Sequence, residues 1–143
     1  MPGSKVFFDT NILLYLLSED AAKADRAEEI IAAGGVISVQ VLNEFAAVAS
    51  RKLSLSWSEI KEILSPVRRI CQIEPLAIET HDGAVEIAER YGFSFFDALI
   101  VASALGAECK ILYSEDLQHD QLISNRLRVR NPFVSLRQVK EQN

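Results

Sequence analysis

Cysteine, signal segments and long hydrophobic runs are scarce or absent in this sequence. Its 143 residues include two cysteines, Cys71 and Cys109, with no C-x-x-C spacing and no histidine pair nearby. We therefore expect buried free thiols. The longest apolar run, residues 12–17, is far shorter than the ~20 residues that a membrane-spanning helix needs. No signal peptide is visible, so the sequence predicts a cytoplasmic protein that does not enter a membrane.

Basic residues are also in the minority. The chain has 15 Lys and Arg against 20 Asp and Glu, which gives a formal net charge of −5. This balance argues against a protein that coats nucleic acid along its length. It does not exclude a nuclease, because metal sites are built from carboxylates and a basic patch can be local. The length, with 49% hydrophobic and 24% charged residues, predicts one globular domain over residues 1–143.

The most informative stretch is a short apolar run, residues 6–8, followed by an acid, a hydroxyl and an amide at Asp9, Thr10 and Asn11. The run predicts a buried strand, with Asp9 at its carboxyl end. In open α/β sheets ligands bind in the crevice at that edge. Asp9 or Asn11 could instead cap the helix predicted over residues 12–17. Asp9 is therefore a candidate both for a ligand site and for a helix cap.

Short strands alternate with helices along the rest of the chain. Further strands are predicted at residues 36–38, 70–73, 110–113 and 126–130, the last at an edge of the sheet. Further helices are predicted at residues 21–33, 39–52, from Ser56 or Ser58 to a bend or end near Pro66, at 77–91, at 94–106 and at 135–140. This alternation predicts an α/β fold in which helices flank a short central parallel sheet.

Two acids lie on helix faces that the hydrophobic pattern predicts to be buried. Glu44 shares a face with Val41 three residues earlier, and Asp97 shares one with Ile100 three residues later. The spacing of Ser94 and Asp97 also fits a capping box, in which the acid reaches back to a backbone N–H. Asp97 therefore has a structural explanation beside the functional one.

Four acids are thus predicted to approach one crevice. They are Asp9 and Asp116 at strand ends, and Glu44 and Asp97 on helices. Burying unpaired carboxylates is costly, and converging carboxylates repel one another. A divalent cation with hard oxygen ligands, Mg²⁺ or Mn²⁺, removes both penalties. Asn11 and Ser114 could orient the acids or hold a water at the ion. One or two such ions, ~4 Å apart if paired, suit phosphodiester hydrolysis.

Four motifs in this order resemble those of PIN-domain proteins, in particular the bacterial toxins of VapC type. The motifs are Phe8-Asp9-Thr10-Asn11, Asn43-Glu44-Phe45, Phe96-Asp97-Ala98 and Tyr113-Ser114-Glu115-Asp116. The resemblance covers residues 6–116. It implies a PIN-like parallel-sheet fold, a Mg²⁺ or Mn²⁺ site, endoribonuclease activity, homodimers and inhibition by a small antitoxin encoded alongside.

By the same resemblance, the catalytic and metal-binding residues are the four acids Asp9, Glu44, Asp97 and Asp116. The fourth position is open to a shift in register, because Glu115 adjoins Asp116 and Asp120 follows closely. The resemblance therefore fixes the first three acids more firmly than the last.

Three arginines near the end of the chain form a second candidate surface. Arg126, Arg128 and Arg130 alternate along the predicted last strand and so project from one face, and residues 126–140 contain no acid. Such a stripe is typical of a surface that binds RNA or a protein partner. It is equally typical of an edge strand protected from pairing by charge.

Other acid-dependent families fit less well. Haloacid-dehalogenase proteins have an Asp-x-Asp motif after the first strand, and this chain has Asn11 in place of its second acid. Receiver domains have a lysine after a late strand, where this chain has Tyr113 and Ser114. The main alternative to a ribonuclease is a PIN-like module that binds RNA or protein without cleaving it.

Overall fold

A six-stranded sheet organises residues 5–134, which are the residues that the computed structural model describes. The strands are β1 (Val6–Phe8), β2 (Val36–Ser38), β3 (Gln72–Glu74), β4 (Ile111–Tyr113), β5 (Leu122–Ile123) and β6 (Leu127–Arg130). Their order is β3-β2-β1-β4-β6-β5, and every pair is parallel except β5 with β6. The predicted α/β fold with a parallel central sheet is confirmed.

Helices connect β1 to β2, β2 to β3 and β3 to β4, as parallel pairing commonly requires, while β4 is connected to β6 through loops and β5. The helices are α1 (Thr10–Leu14), continued by a 3₁₀ turn (Tyr15–Leu17), then α2 (Ala21–Ala32), α3 (Val39–Arg51), α4 (Trp57–Ile70), α5 (Ile78–Tyr91) and α6 (Phe95–Gly106). The helix predicted over residues 135–140 lies outside the described residues. Within residues 5–134, no helix has the length and apolar character needed to cross a bilayer.

Side-chain caps define most helix starts. Ser38 and Asp20 accept hydrogen bonds from backbone N–H groups three residues on, and Ser56 forms a full capping box with Glu59. The prediction that Pro66 bends or ends its helix is wrong about the end, because α4 runs on to Ile70. Buried side chains on both sides of the proline, among them Leu64 and Val67, hold the helix against the core despite the missing N–H.

The core is centred on β1 and its neighbours. Phe7 and Phe8 on β1 are fully buried, as are Ile37 on β2 and Leu112 on β4. Both cysteines are buried free thiols, as predicted, and burial raises the pKa of each to about 11. β1 lies inside the sheet and is packed in the core, so the position of the residue that follows it, Asp9, is well defined.

The prediction of an edge strand at residues 126–130 is wrong. β6 lies between β4 and β5, and the two-residue β5 is the edge. The turn between β5 and β6 places Ser124 and Asn125 in the left-handed region, with φ of 52° and 55°. Residues other than glycine seldom adopt this backbone conformation. The alternation itself is confirmed, since Leu127 and Val129 are buried while Arg128 and Arg130 are exposed.

Candidate active site

A cleft of about 330 Å³ opens at the carboxyl ends of β1 and β4. Its lining residues are Asp9, Thr10, Asn11, Leu14, Glu44, Ala47, Val48, Arg51, Phe96, Asp97, Ile100 and Asp116. β1 and β4 pair in parallel with Phe8 opposite Tyr113, so the residues that follow them emerge side by side. The four acids predicted from the sequence therefore line one cleft.

Asp9 is buried, and each of its carboxylate oxygens accepts one hydrogen bond. One carboxylate oxygen accepts a hydrogen bond from the Thr10 backbone N–H at 2.7 Å, and the other accepts from the Ser114 hydroxyl at 2.7 Å. Burial raises the pKa of Asp9 to about 7, against the opposing effect of these hydrogen bonds, and the nearby carboxylates of Asp116 and Asp97 raise it further. Asp9 thus caps α1 and also lines the cleft, so the two sequence interpretations do not compete.

Glu44 is held by side chains from two helices. The Thr10 hydroxyl donates to one carboxylate oxygen at 2.7 Å, and the Gln40 amide donates to the other at 2.6 Å. The same amide donates to the backbone carbonyl of Phe96 at 3.3 Å, which ties α3 to the start of α6. Sequence reasoning missed Thr10 and Gln40 as supports, although Gln40 lies one helical turn before Glu44 on the same face.

Asp97 lies in the first turn of α6, where the Ser94 hydroxyl accepts a hydrogen bond from its backbone N–H at 3.2 Å. Its side chain is half-buried, and burial raises its pKa. A hydrogen bond with Ser94 opposes that rise, while the negative charges of Asp116 and Glu44 add to it. Asp97 therefore lies within electrostatic reach of Asp9, Glu44 and Asp116.

Asp116, rather than its neighbours, faces the cleft. Its backbone N–H donates to the Ser114 hydroxyl at 3.1 Å, and its side chain is exposed. Glu115 instead accepts a hydrogen bond from the Tyr15 hydroxyl at 2.5 Å. Asp120 pairs with Arg130 at 2.8 Å on another part of the surface. Of the three acids between which the sequence could not choose, only Asp116 lines the cleft.

The arginines 126, 128 and 130 do not line this cleft. Arg128 donates to the backbone carbonyl of Asp120 at 2.8 Å, and Arg130 donates to the Asp120 carboxylate at 2.8 Å. Arg126 lines a separate depression beside Glu108 and Lys110. Arg128 and Arg130 therefore share one surface, which is already partly neutralised by Asp120.

The carboxylate oxygens of the four acids are the kind of ligand that a hard divalent ion takes, although the carboxylates do not lie close enough together to coordinate one ion. Among residues 5–134, no three histidine, cysteine, aspartate or glutamate side chains are close enough to hold an ion as they stand. Asp97 is only half-buried and Asp116 is exposed, so neither side chain is enclosed by surrounding residues. The buried Asn11 amide nitrogen has no hydrogen-bond partner within residues 5–134, and a buried unsatisfied donor of this kind can be satisfied by a water or a ligand oxygen.

One further cleft residue escaped the sequence analysis. Arg51, at the end of α3, lies seven residues after Glu44 and lines the same cleft. The spacing of two helical turns could have revealed it. A polar residue at the exposed end of a helix is, however, ordinary.

Comparisons with known proteins agree with the fold. A family model described as PIN domain matches residues 6–123. The structure is similar to Mycobacterium tuberculosis VapC20, described as a Sarcin-Ricin loop cleaving toxin, with 20% identity over 78% of this chain and 90% of that one and a TM-score of 0.64. No curated protein matches the sequence.

Two further solved structures resemble this chain. In a toxin–antitoxin complex from Klebsiella pneumoniae, the match has 21% identity and a TM-score of 0.66, and it covers 90% of this chain and 98% of that one. In VapBC2 from Rickettsia felis, bound to a DNA fragment from its promoter, the match has 18% identity and a TM-score of 0.60, and it covers 88% and 98%. At such identities the likeness shows the fold alone.

Proposed function

The chain belongs to the PIN domain family, and from that premise we propose that it is a Mg²⁺- or Mn²⁺-dependent endoribonuclease and the toxin of a toxin–antitoxin pair. The observation that carries the proposal is the convergence of four carboxylates from β1, α3, α6 and the segment after β4 on one cleft. Four unrelated helix caps would have no reason to face one another. Shared repulsion is a cost that a cation at the site offsets.

In this proposal Asp9, Glu44, Asp97 and Asp116 hold the ion. A bound Mg²⁺ or Mn²⁺ polarises the phosphate and lowers the pKa of water, which makes hydrolysis possible without a side-chain nucleophile. The chain supplies the positioning. Ser114 fixes Asp9, and Thr10 bridges the two acidic residues by binding Asp9 through its backbone and Glu44 through its hydroxyl. Asn11, whose amide N–H has no partner in the described part of the chain, offers it to a water or a phosphate oxygen.

The histidines do not compete for the role of catalytic base. His119 accepts a hydrogen bond from the Asn131 backbone N–H at 2.9 Å, and the His81 ring packs against Phe95 at 5.5 Å. Neither lines the cleft. Acid–base chemistry in the cleft therefore falls to the carboxylates and to water.

The proposal is tested by incubating the purified chain with single-stranded and with structured RNAs, in Mn²⁺ and in EDTA. We expect cleavage in Mn²⁺ and none in EDTA. RNA binding without cleavage in Mn²⁺ would instead support the alternative, a non-catalytic PIN-like module that binds RNA or protein.

We also propose an antitoxin partner and a homodimer. The related structures from Klebsiella pneumoniae and Rickettsia felis are of toxin–antitoxin assemblies. Exposed apolar side chains at the start of α5 and α6 favour a protein interface: Ile78 is 67% exposed and Phe96 is 66% exposed. Sedimentation at micromolar concentration should show a dimer for the wild type and a monomer for Ile78→Asp. A wild-type monomer would contradict the dimer.

Arg128 and Arg130 are proposed to bind RNA or a protein partner, together with Arg126. If they bind RNA phosphates, the Arg128→Ala, Arg130→Ala double variant should bind single-stranded RNA more weakly. Its slope of log affinity against log salt should fall by about 1.4, or ~0.7 for each lost phosphate contact. The measurement is fluorescence anisotropy across a salt series.

The matched control is Arg68→Ala, Arg69→Ala, which removes the same charge from the end of α4. If both double variants keep the wild-type salt slope, Arg128 and Arg130 do not bind RNA phosphates. They would then bind Asp120 or a protein partner instead.

A further inference from the structure

Arg51 is the one cation among the described residues that line the cleft. It is the last residue of α3, and Glu44, Ala47, Val48 and Arg51 all line the cleft at helical spacing. α3 therefore presents one face to the cleft. The acid Glu44 lies near the middle of the helix, and Arg51 lies at its C-terminal end.

Arg51 forms no ion pair within the described part of the chain, although four acids line the same cleft. By contrast, Arg130 lies 2.8 Å from its partner Asp120. An arginine kept to neutralise the acids would be expected to contact one of them. Arg51 leaves its donors available to a group that is not part of the described chain.

The position of Arg51 along α3 indicates which chemical group its guanidinium could bind. Seven residues of helix separate the backbones of Glu44 and Arg51 by ~10 Å, and the Arg51 guanidinium is not within ion-pair distance of any acid among residues 5–134. Arginine presents a planar fork of donors that matches the oxygens of a phosphate. If an RNA strand with its scissile phosphate at the acids runs along α3, its next phosphates lie toward Arg51.

We propose that Arg51 binds an RNA phosphate adjacent to the scissile one and so sets the register of the strand in the cleft. This inference rests on the proposed ribonuclease function and adds a substrate-binding residue to it. Another role for a cation at this place is to offset the helix dipole at the C-terminus of α3. Lys52, the next residue and the C-cap of the same helix, shares that role but does not line the cleft.

Lys52→Ala is therefore the matched control for Arg51→Ala. We expect Arg51→Ala to raise KM for single-stranded RNA roughly tenfold to a hundredfold, as loss of a charge-assisted hydrogen bond does. We expect kcat to change little, because Arg51 forms no ion pair with any of the four acids. The slope of log affinity against log salt should become shallower by about 0.7. Arg51→Lys should recover part of the affinity, since it keeps the charge and loses the fork.

Lys52→Ala should match the wild type in KM and in salt slope. The inference is overturned if Arg51→Ala and Lys52→Ala have the same KM and slope. It is also overturned if Arg51→Ala lowers the melting temperature well below that of Lys52→Ala and shows no other change, because Arg51 would then be structural.

A binding arm separates failure of this inference from failure of the proposed function. Anisotropy of labelled single-stranded RNA is measured with Asp97→Asn and with the Asp97→Asn, Arg51→Ala double variant. Weaker binding by the double variant supports the role of Arg51 even if the wild type cleaves no RNA. Equal binding by both overturns that role even if the wild type cleaves efficiently.

Discussion

Asp97→Asn is expected to slow Mn²⁺-dependent cleavage of single-stranded RNA roughly a thousandfold. A catalytic ion contributes several kcal/mol of transition-state stabilisation, and each ~1.4 kcal/mol is a factor of ten in rate. Asp97 lies within electrostatic reach of Asp9, Glu44 and Asp116, and in the proposed site it would share the ion with them. Asp9→Asn and Glu44→Gln should act in the same direction. The measurement is the initial cleavage rate at saturating Mn²⁺.

The chain offers a closely matched control in Asp120→Asn. The chemical change is identical, and Asp120 was one of the alternatives for the fourth acid, but its carboxylate pairs with Arg130 outside the cleft. Asp120→Asn should keep a rate close to that of the wild type. A near wild-type rate for Asp97→Asn, or an equal loss in both variants, would contradict the assignment of the cleft as the catalytic site.

Asp9→Asn is expected to stabilise the protein in EDTA at pH 8. Burial raises the pKa of Asp9 from 3.8 to about 7, so the folded state favours the protonated acid while the unfolded chain releases the proton near pH 4. The resulting cost to folding is absent below about pH 4, grows as the pH rises, and is complete above about pH 7. A pKa rise of this size corresponds to roughly 4 kcal/mol at most.

The asparagine introduced by Asp9→Asn would not titrate, and its carbonyl oxygen can still accept one of the two hydrogen bonds that Asp9 accepts. Thermal melting of both proteins in EDTA from pH 5 to pH 8 tests this expectation. The melting temperature of Asp9→Asn should rise relative to the wild type as the pH increases. A constant difference over this range would show that the hydrogen bonds from Thr10 and Ser114 outweigh the effect of burial.

The sequence predicted the architecture and the convergence of the acids because both follow from short-range patterns. Short apolar runs such as residues 6–8, placed between helical patterns, indicate buried strands. The carboxyl ends of parallel strands lie at the same end of the sheet. Asp9 and Asp116 each follow a predicted strand, and the structure adds that these two strands, β1 and β4, are neighbours. Glu44 and Asp97 were found because an acid breaks an otherwise apolar helix stripe.

The remaining features depend on contacts that no local pattern encodes. The strand β5 has only two residues, too few to show alternation, and without it β6 was predicted to be an edge. The choice of Asp116 over Glu115 depends on Tyr15, which is distant in sequence and binds Glu115 away from the cleft. Arg51 escaped notice because a charged residue at a helix end is expected whether or not it faces a cleft.

The central claim is that these four acids hold one divalent-ion site. Thermal melting of the wild type and Asp97→Asn across a Mn²⁺ titration tests it most directly, since an ion that binds only the folded state raises the melting temperature once its concentration passes the Kd. The wild type should rise steeply and Asp97→Asn much less, and without Mn²⁺ the variant should melt no lower than the wild type. Flat, parallel curves with Asp97→Asn lower by the equivalent of about 1 kcal/mol, as for a lost helix cap, would contradict the claim.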